Sequence, residues 1–490
     1  MDQKFVFRLI LLFVFTIAFS SCHKEETQIK TLLGTSVSKE RVDAFIDEQM
    51  QALNMPGLSI AIINEGEVVY HRVKGYANKE RQILADSTTL FEGASISKSV
   101  FGFFAMTFVE EGLLDLDKPL YEYLPNPAIE HDERYKKITA RIVLSHRSGF
   151  PNWRDDYPEK ELFIQFEPGT AYHYSGEGYQ YLAEVLKHLL NTNWAGLEAE
   201  FQKRVAIPFG LEHTVFIKND YTRKYKAQPY DVDGNWIDKS KSEWWTSRDS
   251  VFVAPTTIHS EAIDFSKWMI AMMQEEGLSE EGFAELYRPH SEIVSGLLQE
   301  DYTLGFTRLS VLGLSELYTH SGNNDGFSSY FAFDKEKEWG FVVFTNSSRL
   351  GDQFAQNLTY RLLLSGSVPK LSAIVLCTLF TALLLITNLI LVFFKSRRRG
   401  IRFANLRIGL LALSCCLLSL VLMLTGHSGI VNYLYGFGVL LTVYWGWNVL
   451  GQIRANWREE RSARIELCVQ CFLLAGVLFS GVAVGLLEQG

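Results

Sequence analysis

Four apolar segments in the last quarter of the chain, 371–394, 408–425, 430–450 and 467–487, limit what this sequence can become. Each is near the ~20 residues an α-helix needs to cross a hydrocarbon core. The connection after the first carries Lys395, Arg397, Arg398, Arg399, Arg402 and Arg407, and the one after the third carries Arg454, Arg458, Arg461 and Arg464. The loop at 426–432 has neither Lys nor Arg. The excess of positive charge on cytoplasmic loops places both basic loops inside, so the first span runs from outside to inside and residues 27–365 are expected on the extracytoplasmic side.

The N-terminus gives the same orientation independently. Lys4 and Arg8 precede an apolar run at 9–19, followed by Ser20, Ser21 and Cys22, the layout of a secretory signal. Small residues before a cysteine are similar to a lipoprotein cleavage site, so 1–22 is expected to be a signal peptide and Cys22 the lipidated residue. Residues 23–39 are expected as a linker, 40–365 as one catalytic domain and 371–487 as a four-helix membrane region. Lys24, Glu25 and Glu26 resemble a surface-export tag, but four helical spans favour a multi-pass protein of the bacterial inner membrane.

Of the six cysteines, Cys22 closes the first apolar run and the other five lie in the C-terminal spans. The domain between needs neither disulfides nor a cysteine-based metal site. A formal net charge of −9 and the lack of any Lys/Arg block between 27 and 365 argue against nucleic acid as a partner.

Within that domain, β-branched runs at 58–63 and 68–74 flank Asn64-Glu65-Gly66 and predict a hairpin. A second strand pair is expected at 328–333 and 339–345 around a charged turn at 334–338, and a helical pattern follows at 352–364. The stretch from about 115 to 290 reads as helices and loops. Strands at both ends with helices between them predict one sheet built from the domain's termini and a helical insertion, an α/β sandwich.

Ser95-Ile96-Ser97-Lys98 precedes a long apolar stretch from Val100 to Leu114. Three-residue spacing on a helix puts Ser95 and Lys98 on one face. Apolar surroundings disfavour the ammonium form and make Lys98 a proton acceptor, while orphan N–H groups at a helix start can hold a developing oxyanion. Further along stand Leu144-Ser145-His146-Arg147-Ser148-Gly149-Phe150, then Tyr174-Ser175-Gly176, then His320-Ser321-Gly322-Asn323.

In order and spacing these stretches resemble the serine β-lactamase and penicillin-binding-protein superfamily, in its class C β-lactamase-like branch of esterases, D-aminopeptidases and D,D-peptidases. The resemblance covers about 40–365. It implies a β-lactamase-like fold with an antiparallel sheet and an acyl-enzyme route without metal or organic cofactor. It also implies Ser95 as nucleophile, Lys98 as its base, Tyr174 as proton shuttle, and a substrate-binding set of Gly176, His320, Gly322 and Asn323. The backbone N–H groups of Ser95 and Asn323 would form the oxyanion hole. Two departures stand out: Gly176 takes a position where penicillin-recognising members carry Asn, and His320 one where they carry Lys. A histidine of ordinary pKa is largely uncharged near neutrality.

His146 reads more simply as a turn residue than as a base. His173 reads equally as a pocket-rim or a packing residue, and Asp115 and Asp117 as loop or cap residues. Neither a G-x-S-x-G elbow nor an H-E-x-x-H string occurs. The expected activity is hydrolysis of esters or amides of small molecules or peptides, D-amino-acid peptides and β-lactams among them. A second reading stays open: a membrane sensor whose serine domain binds a ligand, or is acylated by it, without turnover.

Overall fold

The hairpin expected at Asn64-Glu65-Gly66 is the centre of the molecule. In a computed structural model that describes residues 28–295, 298–311 and 315–364, Gly57–Asn64 pairs antiparallel with Glu67–Asn78 through a two-residue turn. Glu65 (φ 54°) and Gly66 (φ 72°) both lie in the left-handed region, as a type I′ turn requires.

Numbered along the chain, the strands are β1 (Gln28–Lys30), β2 (Ser36–Ser38), β3 (Gly57–Asn64), β4 (Glu67–Asn78), β5 (Ile83–Leu84), β6 (Phe91–Glu92) and β7 (His259–Ser260). β8 (Ser291–Val294), β9 (Leu298–Tyr302), β10 (Thr307–Val311), β11 (Ser315–Asn324), β12 (Phe327–Asp334) and β13 (Trp339–Thr345) follow. The five longest helices among the described residues are α1 (Lys39–Ala52), α2 (Ser97–Glu110), α3 (Gly176–Leu189), α4 (Ala262–Met273) and α5 (Leu350–Leu364).

Nine strands form one antiparallel sheet in the order β5-β4-β3-β13-β12-β11-β10-β9-β8. The two ends of the domain meet where β3 pairs with β13. Side chains alternate across that junction. Leu58, Ile60 and Ile62 of β3 and Phe341 and Val343 of β13 pack against α1 and α5 through Val42, Phe45, Ile46, Phe354 and Leu358. Ala61, Ile63, Val342 and Phe344 face the other way, into the core built by α2, α4 and the inserted helices. Because both faces are covered, all eight residues of β3 are buried, and the strand reads as a continuous apolar run.

The sandwich with a helical insertion is the expected architecture. Two expectations change. The linker expected at 23–39 belongs to the fold from Gln28 onward: β1 and β2 pair with each other, and Ile29, Leu32 and Val37 are buried with α1, removing apolar surface that a linker would leave in water. The strands β8 to β11 are additional to the expected ones. Among the described residues no helix is long and apolar enough to cross a membrane. The expected signal peptide, Cys22 and the four expected spans at 371–487 lie outside the described residues.

Candidate active site

Helix α2 carries the site and is buried on every side, from Ser97 to Phe108. Phe101, Phe103, Phe104 and Phe108 are each fully buried, and each contributes roughly 1.5–3 kcal/mol by leaving water. Such a helix is a rigid mount. Ser95 sits just before it, in the 3₁₀ turn Ala94–Ile96, so the helix proper starts two residues later than the serine.

The turn is held in an unusual shape. Ala94 has φ 50°, a region that non-glycine residues seldom occupy. It is tied down on three sides: the Gly93 N–H donates to Ile258 O (2.8 Å), the Ser329 hydroxyl donates to Gly93 O (2.6 Å), and the Ile258 N–H donates to Ser97 Oγ (3.0 Å).

Lys98 Nζ lies 3.1 Å from Ser95 Oγ and donates to Pro255 O at 3.0 Å. Burial holds its pKa well below the ordinary lysine value. The rings of Tyr174 and Tyr179 lie 4.5 and 5.8 Å from Nζ. Attraction of a cation to such faces, at most about 2 kcal/mol, does not offset a desolvation cost of several kcal/mol for an unpaired charge. Burial therefore favours the neutral amine of Lys98 over the ammonium, and a neutral amine has a lone pair open to a proton. Burial also raises the Tyr174 phenol above its ordinary pKa, a hydrogen bond with Ser95 opposing the shift in part. Tyr174 is a protonated phenol at neutral pH, suited to relay a proton rather than to start as phenolate.

The third motif forms the end of β11. Pairing with β10 stops at Thr319, while β12 continues alongside to Asn324. The bare edge runs against the Ser95 turn. A Cβ on Gly322 would meet Ser329 Oγ at 2.5 Å and Ser95 N at 2.9 Å, besides colliding with Gly93 O, so only glycine lets the strand come this close.

Ser95 and Asn323 line one open cleft of about 650 Å³ with Asn152, Trp153, Trp244 and Trp245. The Asn323 side chain donates to Asp352 at 2.6 Å. Of the other residues expected at the substrate, Gly176 and His320 are buried. Gly176 is buried below Trp153: its N–H donates to Asn152 O (3.0 Å) and Oδ1 (3.1 Å), and a Cβ there would lie 2.9 Å from the indole. His320 is buried too. Tyr302 Oη donates to its Nε2 at 3.0 Å and its Nδ1–H donates to Ser321 O at 2.6 Å. Burial above all brings its pKa down to about 3. Both nitrogens are engaged inside the protein, leaving none for a substrate carboxylate.

Other neighbours of the site carried no sequence signal. Buried Glu92 accepts from Lys226 (2.8 Å), Lys239 (2.6 Å) and Asn324 (2.8 Å). Burial raises its pKa, but the two ammonium groups prevail and hold it well below the ordinary value. Asn324 accepts in turn from Thr256, next to the Pro255 carbonyl that holds Lys98. Asp117 anchors Arg141 (2.7 Å) and Asp115 caps the Asp117 N–H (2.8 Å), the loop roles expected of them. His173 is half-buried, 6.5 Å from Phe166. Among the described residues no group of three or more His, Cys, Asp or Glu side chains is arranged to hold a metal.

Comparison with known proteins places this geometry. The Beta-lactamase family model matches residues 42–365. Protein flp of Staphylococcus aureus (strain MW2) is 22% identical over 330 residues, which is 64% of this chain and 64% of that protein, so the chain spans less than two thirds of such relatives' length. Two solved structures share the fold. The D-amino acid amidase of Ochrobactrum anthropi SV3 has a TM-score of 0.56 at 21% identity, covering 68% of this chain and 99% of its own. The D-alanine carboxypeptidase AmpC of Burkholderia cenocepacia has a TM-score of 0.55 at 19% identity, covering 67% and 98%. With the matched segment spanning the Ser95 turn, the Tyr174 loop and the β11 edge, the chain belongs to the β-lactamase family.

Proposed function

We propose that the protein is a membrane-bound serine hydrolase that cleaves ester or amide bonds on the extracytoplasmic side through an acyl-enzyme on Ser95. One observation carries the chemistry: a buried amine, Lys98 Nζ, lies 3.1 Å from Ser95 Oγ, its pKa lowered by burial. In acylation Ser95 Oγ bonds to the acyl carbon and its proton passes to Lys98. The negative charge that develops on the carbonyl oxygen faces the N–H groups of Ser95 and Asn323. When the bond to the leaving group breaks, the Tyr174 hydroxyl gives that group a proton and is reprotonated from Lys98. Deacylation runs the same relay with water as the nucleophile. The Arg-rich loops after the first and third apolar segments and the N-terminal signal support the extracytoplasmic placement.

The cleft favours neutral acyl groups over carboxylate-bearing ones, because His320 is neutral with both nitrogens engaged and the indole of Trp153 fills the space over Gly176. A Lys⁺ at a carboxylate would add a charge-assisted bond worth roughly 1.5–3 kcal/mol, about 10- to 150-fold. The test is a substrate panel of p-nitrophenyl butanoate, D-amino-acid amides and benzylpenicillin with the full-length protein. The expected kcat/KM for the ester is at least about 10-fold above that for the penicillin. Faster penicillin cleavage than that of every ester and amide would make it a β-lactamase, and stable acylation without turnover would make it a sensor.

A further inference from the structure

One residue grips Tyr174 from both sides. The N–H of His173, just before it, donates to the backbone oxygen of His146 at 2.8 Å. The N–H of Ser175, just after it, donates to Nδ1 of the His146 ring at 3.0 Å. That ring lies against the phenol itself, 4.3 Å between centroids at 39°, and is backed by Tyr302 at 4.6 Å and Tyr179 at 5.0 Å. His146 is fully buried and has φ 57°, a turn conformation that lets its carbonyl and its ring reach the same segment.

These contacts fix the state of the imidazole. A backbone N–H can only donate, so Nδ1 must present its lone pair and the ring proton sits on Nε2. Protonating Nδ1 would set two donors face to face. Burial also opposes a positive charge on the ring. Nε2 is buried with no hydrogen-bond partner among the described residues. With one nitrogen committed to Ser175 and the other carrying a proton, neither accepts a proton from substrate or water. What remains for the ring to do is hold its neighbour.

We propose that His146 is a positioning residue for Tyr174, keeping the phenol oxygen on Ser95 so that proton delivery to the leaving group is timed with bond breaking. The inference rests on the Ser95 hydrolase reading. It differs from a plain packing role in one measurable respect: losing it should hurt substrates in proportion to how much their leaving group needs a proton.

Two substitutions separate its contacts. His146→Phe keeps a ring against Tyr174 but leaves the Ser175 N–H without its acceptor. His146→Asn keeps a short acceptor, and a residue type tolerant of positive φ, but removes the ring. For each full-length variant, kcat/KM is measured on p-nitrophenyl butanoate, whose leaving group is a weak base, and on phenyl butanoate, whose leaving group is a stronger one. The expected loss in His146→Phe is about 10-fold or more greater on the phenyl ester, within the range for general acid help. Tyr174→Phe should show the same selectivity, and His146→Asn should recover part of it. Equal losses on the two esters in the variants that fold would assign His146 to packing alone and overturn the proposal. If His146→Phe does not fold, the selectivity of His146→Asn decides in the same way. If the unmutated protein cleaves amides but neither ester, the same comparison is made on a p-nitroanilide and an anilide; failure to cleave any ester or amide would overturn the hydrolase reading, and this inference with it.

Discussion

Chemistry at this site turns on the burial of single groups, and Lys98 is the clearest case. In an unfolded chain a lysine titrates near 10.4; in the folded protein burial depresses Lys98 well below that. Between the two values the unfolded state binds the extra proton, so Lys98 costs stability there and the cost grows as pH falls toward the folded pKa. Replacing it by methionine removes the titration. Lys98→Met should abolish turnover, and its stability relative to the unmutated protein should be greater at about pH 6.5 than at about pH 9, with a limiting slope of about 1.4 kcal/mol per pH unit for one proton. Urea denaturation at the two pH values checks this, and an equal difference at both would mean that Lys98 keeps an ordinary pKa. The lowered pKa of Lys98 was legible in the sequence from the apolar stretch that follows it. The condition of His320 was legible only in part: its residue type suggests a neutral ring, but the occupation of Nε2 depends on Tyr302, which no local spacing links to it.

At the scale of elements, legibility followed pattern. β3, β4, β12 and β13 alternate faces or run apolar between recognisable turns, and α5 closes the domain where its periodicity lies. β9 does not announce itself: Leu298–Tyr302 reads LQEDY, with neither an apolar run nor apolar–polar alternation to mark a strand. α2 shows no amphipathic stripe because it has no exposed face from Ser97 to Phe108; its helicity had to be inferred from length and apolar content. The motif residues were identifiable, yet their duties were not all separable by spacing. Asn323 reaches the cleft, Gly322 is consumed by the approach of β11 to Ser95, and Gly176 lies under Trp153. His146 looked like a turn residue and is one, with φ 57°, but the turn also delivers its ring to Tyr174.

For the whole molecule, the sequence joins a domain of the β-lactamase family to a tail of four apolar segments. The sidedness proposed from the basic loops can be checked directly. A reporter fused after Arg399 in the full chain is expected to be cytoplasmic, and one fused after Ser428 to be outside; the reverse pattern would put the catalytic domain in the cytoplasm. The central claim, that Ser95 becomes covalently acylated because Lys98 takes its proton, is tested most directly by treating the purified full-length protein with a fluorophosphonate and mapping the adduct by peptide mass spectrometry. One adduct on Ser95, absent in Ser95→Ala and formed at least about 10²-fold more slowly in Lys98→Ala, is the expected result. Labelling that persists in Ser95→Ala, or that forms at the same rate without Lys98, would contradict it.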